Sequence, residues 1–183
     1  TRPTMRFVAM KSAEQQAALS LHRTRNLLVK QRTQLVNMIR GLLAEFGIDI
    51  PQGLERALKL ARQIAAKKST LDVPAMALQI LCILCEQVLN THARLQTIDR
   101  SILAQQRTNE VARRLSTIPG IGPIGATALA ASVADPGQFR SGREFAAWLG
   151  LTPSQNSSGG KDRLGHITKM GDRYLRKLLV IGA

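Results

Sequence analysis

Aromatic residues are scarce in this chain. Four Phe, one Trp and one Tyr make up 3% of its 183 residues. A core with so few rings must be built from Leu, Ile, Val and Ala, a composition that favours helix packed on helix. Cysteine is nearly absent as well. Cys82 and Cys85 lie three apart inside an apolar helical run. A zinc or redox centre wants a second pair or nearby histidines, and His22, His92 and His166 are isolated. Both cysteines therefore read as core residues, and the expected compartment is a reducing one, the cytoplasm. No apolar run is long enough to span a bilayer, and no secretory signal is visible. Acidic residues are in short supply: 12 Asp plus Glu stand against 26 Lys plus Arg, for a formal charge of +14. They are scattered, with no clustered carboxylates to hold a metal. Such an excess of positive charge excludes little by fold but points to a polyanionic partner, nucleic acid above all.

What is present is helical. Ser12 followed by Gln15 reads as a capping box opening a long helix. Leu21, Leu28, Leu35 and Leu42 then recur every seven residues, with Ile39 and Phe46 widening the stripe. Gly47–Gly53, with Pro51, breaks that helix, and Leu54–Lys67 forms a shorter one. Residues 68–74 turn the chain, with Pro74 suited to a helix start. A second long helix is expected from about Pro74 to Leu115, with Leu81, Val88, Leu95 and Ile102 on one row and Leu84, Thr91, Ile98 and Gln105 on the next. The two long helices pair antiparallel, within the chain or between subunits. The predicted fold is all-α: a helical coiled-coil hairpin over 11–112, after a linker over 1–10 from an upstream domain, then a small helical domain over 113–183.

That last domain carries the chemistry. Thr117–Ala131 reads TIPGIGPIGATALAA, a helix-hairpin-helix pattern. Gly120, Ile121 and Gly122 would turn tightly and offer main-chain N–H groups to a phosphate at the start of the next helix. Ser141 and Glu144 read as a second capping box over a helix 141–149, and Phe139, Phe145 and Trp148 as core. Residues 150–171 read as a long polar loop, and 172–182 as a final helix.

Within that loop, Ser157 and Ser158 precede Gly159 and Gly160, with Lys161, Arg163, Lys169, Arg173, Arg176 and Lys177 following. Glycine lacks the Cβ that would keep a phosphate away from the backbone. Ammonium and guanidinium groups neutralise it. The arrangement suits a protein that handles a nucleic-acid backbone and attacks it.

The blocks PGIGPIGATALAASV and FRSGREFAAWLGLTPSQNSSGGKDRLGHITKMGDRYLRKLL closely resemble the C-terminal domain of transposases of insertion-sequence family 110, in its 1111-like subgroup, relatives of the Piv-type DNA invertases. The stretch from KSAEQQAALSLHRTRNLLVKQRTQLVNMIRGLLAEFGI onward is similar to the same family's coiled-coil region. The resemblance implies DNA transposition and recombination by a serine nucleophile, which maps onto the SSGGK segment, with Ser157 preferred to Ser158. It implies a structured bridge RNA that pairs with target and donor DNA, and a homo-oligomer, dimer or tetramer. It also implies an N-terminal RuvC-like domain whose carboxylates hold Mg2+. Residues of that domain are not found in this chain, so the piece is expected to need no cofactor of its own and to be inactive alone. By the same resemblance Gly159 and Gly160 admit the phosphate and Lys161 and Arg163 stabilise its charge. Lys169, Arg173, Arg176 and Lys177 position the strand. Two other classes compete: a non-catalytic helix-hairpin-helix module for nucleic-acid binding, and a coiled-coil assembly module whose charge is incidental.

Overall fold

A computed structural model describes residues 9–66, 71–161 and 163–182. Most of the linker expected over 1–10 lies outside the described residues, as does Lys67 at the expected end of the shorter helix. The elements run α1 (Ala13–Glu45), α2 (Leu54–Ala65), α3 (Ala75–Thr108), α4 (Glu110–Leu115), α5 (Pro123–Ser132), a 3-10 turn (Pro136–Gln138), α6 (Gly142–Trp148), β1 (Pro153–Gln155), β2 (Leu164–Ile167) and α7 (Arg173–Gly182). The chain is thus mostly helical, with one two-stranded sheet among the described residues. It divides into two compact units. One spans His22–Ser101; the other joins the residues up to Leu21 with those from Ile102.

The His22–Ser101 unit is a three-helix assembly. Val36, Ile39 and Leu43 of α1, Ala57, Leu58, Ala61 and Ile64 of α2, and Leu81, Cys85 and Val88 of α3 form one buried cluster. Two polar contacts fix the pairing of α1 and α3. Arg25 Nε donates to Asp99 Oδ1 at 2.6 Å, and Arg32 Nη1 lies 3.1 Å from His92 Nδ1. Seven residues forward on α1 match seven backward on α3, so the helices run antiparallel within one chain. The first row expected on α3 is deeply placed, with Leu81, Val88, Leu95 and Ile102 buried, while in the second row Thr91 is buried and Leu84, Ile98 and Gln105 are half-buried. On α1 the centre of the buried stripe lies one residue beyond the heptad leucines. Val36 and Leu43 are buried, while Leu35 and Leu42 are half-buried beside them. The reason is α2, which gives α1 a second partner and a wider buried face than a two-helix seam requires.

Helix ends follow local chemistry. Helix α1 stops at Gly47, which holds φ +73° while its N–H bonds the Ala44 carbonyl and that of Ile48 bonds Leu43. This is the paired closure that glycine permits at a helix C-terminus, with Leu43 and Ile48 in contact with one core. Ile64 and its neighbours close over Cys85, whose thiol is pushed up to about 12 by burial.

In the other unit, Ser12 and Gln15 make the expected reciprocal cap, Gln15 N to Ser12 Oγ at 3.2 Å and Ser12 N to Gln15 Oε1 at 2.9 Å. The long helix expected to reach Leu115 instead ends at Thr108. Asn109 accepts the Ala112 N–H on its side chain at 2.9 Å and so starts α4 afresh. The core is formed by Ala128 and Leu129 of α5, by Leu149, and by Leu175 of α7. It is flanked by Leu115, Ile121, Phe145, Leu151, Tyr174, Leu178 and Leu179. Residues 150–171, expected as a loop, contain an antiparallel hairpin.

Candidate nucleic-acid site

The hairpin is built around its tip. Ser158, Gly159, Gly160 and Lys161 form a tight turn closed by the Lys161 N–H on the Ser158 carbonyl at 3.1 Å. Gly159 and Gly160 take φ +57° and +74°. Two central residues with positive φ match the twist of an antiparallel ribbon, and glycine adopts them without strain. The Asn156 N–H bonds the Arg163 carbonyl at 2.8 Å just behind the tip. Ser157 stands there, exposed, its Oγ accepting the Arg163 main-chain N–H at 3.0 Å. Ser158, Lys161 and Arg163 are exposed beside it.

The base of the hairpin is locked. Gly150 ends α6 at φ +72°, buried, and its carbonyl accepts the Lys169 N–H at 3.1 Å. A Cβ there would lie 2.7 Å from the Met170 nitrogen and 2.8 Å from that of Gly171. Gly171 in turn sits where a Cβ would strike the Trp148 and Leu149 main chain. Lys169 is the one non-glycine with positive φ among the described residues, at +56°. Arg176 Nη1 donates to the carbonyls of Leu149 at 2.8 Å and Gly171 at 3.2 Å. Of the basic residues expected to face a strand, Arg176 is therefore turned inward onto the backbone, while Arg173 and Lys177 are exposed on α7. Helix α7 itself starts on Asp172, whose Oδ1 accepts the Tyr174 and Leu175 N–H groups.

The glycine turn lies at the far end of the same helix. Helices α4 and α5 flank it, with Gly120 at φ +83° and Gly122 preceding Pro123 at the first position of α5. Gly182 packs against the Gly120 carbonyl so closely that a Cβ would collide with it. The Ile121 N–H is engaged by the Ile118 carbonyl at 3.0 Å. The amides of Gly120 and Gly122 bond nothing among the described residues, and both glycines are exposed. Helix α7 spans ten residues, about 15 Å, between the hairpin's base and this turn.

Two features have no signature in the sequence. One is the inward Arg176; the other is the glycine pair Gly150 and Gly171 that clamps the hairpin. The glycines are visible as residues, but their clash partners are brought in by the fold. Trp148 is 39% exposed and stacks on Phe145 with ring centroids 5.9 Å apart, so it caps the aromatic cluster instead of lying inside it. Among the described residues no three His, Cys, Asp or Glu side chains are grouped to hold a metal ion. The one ion pair they form is Arg25–Asp99. No helix among them is long and apolar enough to cross a membrane.

Residues 112–183 match the model of the transposase IS116/IS110/IS902 family. That segment of the chain belongs to that family. A Sinorhizobium fredii protein named as a putative transposase, y4pF/y4sB, is 46% identical over the whole chain, which covers 46% of that protein. A Pseudomonas aeruginosa protein named as a probable family 20 transposase is 47% identical, again over the whole chain and 54% of the relative. The Coxiella burnetii transposase for insertion sequence element IS1111A is 38% identical over the whole chain and 50% of its own length. The chain therefore spans about half the length of these relatives. The family-matched segment includes both the glycine turn and the serine hairpin.

Proposed function

We propose that this chain supplies the nucleophile and much of the backbone grip for DNA strand cleavage and rejoining by an insertion-sequence transposase. The observation that carries the reading is the placement of Ser157: exposed at a rigidly based hairpin tip, with its Oγ accepting the Arg163 N–H. A serine hydroxyl is a weak nucleophile at neutral pH. An amide that donates to its oxygen stabilises the negative charge as the proton leaves. In the step proposed, Ser157 Oγ forms a bond to phosphorus, one ester P–O bond of the DNA breaks, and the departing oxygen takes up a proton. The proton of Ser157 passes to a base outside the hairpin. The bond energy stays in the phosphoserine ester, so the reverse attack by a DNA hydroxyl rejoins a strand without ATP.

Gly159 and Gly160 leave the tip free of side chains, and Lys161 and Arg163 stand beside it to stabilise charge on the phosphate oxygens. The amides of Gly120 and Gly122 would hold a second phosphate in the manner of a helix-hairpin-helix, with Arg173 and Lys177 along α7 between. The described residues offer no donor set for Mg2+. In this reading any such ion belongs with the carboxylates of a RuvC-like domain, and none of the steps above passes through it. Bridge RNA and the assembly of several subunits enter by the family resemblance, as the source of sequence choice and of a complete site.

The test is a strand-transfer reaction assembled with DNA ends, RNA and the RuvC-like domain in cis. Ser157→Ala should abolish strand transfer while DNA affinity stays within about twofold, and Ser158→Ala should retain activity. If both variants react normally, the second reading stands: a non-catalytic binding and assembly module, favoured by the many exposed basic side chains among the described residues.

A further inference from the structure

The hairpin has a second peculiarity, at its middle. The register pairs Gln155 with Leu164 and Pro153 with Ile167. Two residues of β2, Gly165 and His166, therefore oppose the single residue Ser154, which is a β-bulge. Side chains alternate along a strand, so Leu164 and Ile167, three apart, would normally point to opposite faces. The extra residue reverses that. Leu164 and Ile167 both follow their partners Gln155 and Pro153 onto one face. The other face agrees with this count: a Cβ on Gly165 would collide with Ser154 Oγ, so Ser154 and Gly165 share it.

The bulge thus collects Pro153, Leu164 and Ile167 into an apolar face. Nothing among the described residues covers it. Leu164 is 68% exposed, Ile167 38%, and all four residues of β2 are exposed. A two-stranded ribbon with neither face packed is marginal in water, and this one is held by its locked base and its turn. An apolar face kept in solvent on such an element is not there for the fold. Its surroundings state what it meets. Lys161, Arg163 and Lys169 lie along the same ribbon and are exposed, and Ser157 stands at its tip. That charge suits a polyanion, and a two-stranded ribbon fits a nucleic-acid groove. Aliphatic side chains on a basic element act there by wedging against bases and unstacking them.

We infer that the face formed by Pro153, Leu164 and Ile167 packs against DNA bases next to the phosphate presented to Ser157, and holds them unstacked. The inference rests on the reading of Ser157 as the DNA-facing nucleophile. The ribbon then has two roles. Ser157 acts on the backbone, while Leu164 and Ile167 part the bases whose strands are to be exchanged.

The experiment uses the 183-residue chain and duplexes from a cognate junction carrying 2-aminopurine at the bases flanking the scissile phosphate. Affinity is read by anisotropy at two salt concentrations, and unstacking by 2-aminopurine fluorescence at saturation. The expected result is salt-sensitive binding with a severalfold rise in fluorescence. Leu164→Thr combined with Ile167→Thr should remove that rise. It should also weaken binding about tenfold on paired duplex but less than about twofold on a duplex already unpaired at those bases. Thr keeps strand propensity at two exposed sites, and circular dichroism checks the fold. Tight, salt-sensitive binding with unchanged fluorescence overturns the wedge and leaves the reading of Ser157 intact. Equal weakening on paired and unpaired duplexes also overturns it. Absence of DNA binding at low salt overturns both. A double variant that binds and unstacks DNA normally but changes the oligomeric state assigns the face to a protein contact instead.

Discussion

The His22–Ser101 unit and the serine hairpin solve opposite problems. The first buries Leu43, Leu58, Leu81 and Val88 completely in one cluster shared by three helices. The second buries none of the residues of its strands and displays hydroxyls, cations and apolar side chains together. Burial gives the helices a stability that tolerates surface change. The hairpin is held by a few glycine-dependent contacts at its base and leaves its side chains free for a ligand. Stability and function are therefore separable by mutation in this chain.

The sharpest break should come from the core. Leu58→Ala removes a fully buried side chain from the three-helix cluster and should cost about 2–5 kcal/mol in urea unfolding. Acid should act next. Burial, with the positive charge of Arg25 adding to it, lowers the pKa of His22 to about 4. The unfolded value is about 6.5. The stability contributed by neutral His22 is complete above about pH 6.5 and is lost as pH falls toward 4, by at most about 3 kcal/mol. His22→Met should flatten that part of the stability profile.

The hairpin's base is the link between the two behaviours. Gly150→Ala imposes a left-handed backbone on alanine and a Cβ 2.7 Å from the Met170 nitrogen. It should cost at least about 1–2 kcal/mol and lower strand transfer by displacing the tip. Lys169→Gly, which relieves the φ of +56°, should stabilise by up to about 1 kcal/mol in urea unfolding. Smallest is the cap: Ser12→Ala should cost about 1 kcal/mol and leave DNA affinity unchanged.

Legibility follows the same division. Residues that act on their own neighbours are readable. Ser12 with Gln15 and Ser141 with Glu144 announce helix starts, and the structure shows Ser141 Oγ accepting the Glu144 N–H at 3.3 Å. Features that depend on a partner elsewhere in the chain are not. The α1 stripe is shifted because α2 widens it. The helix through Thr108 looks continuous because Ile102 and Gln105 continue the two heptad rows, and the cap of Asn109 interrupts it. Gly159-Gly160 reads as slack loop, whereas the positive φ values build a ribbon turn. No alternation marks β2, since a bulge and a glycine break it. Arg176 counts as a strand-facing cation by spacing, which cannot show that its guanidinium reaches Leu149 and Gly171. The serine-glycine segment is found by its residue types, but its rigidity comes from Gly150, Gly171 and Arg176 around its base.

The most direct test is to stop a cognate strand-transfer reaction under denaturing conditions and map the DNA-linked peptide by mass spectrometry. If Ser157 is the nucleophile, a phosphodiester forms on it, lost in Ser157→Ala and kept in Ser158→Ala. Cleaved DNA with no serine adduct, unaffected by changing both serines, would contradict that assignment.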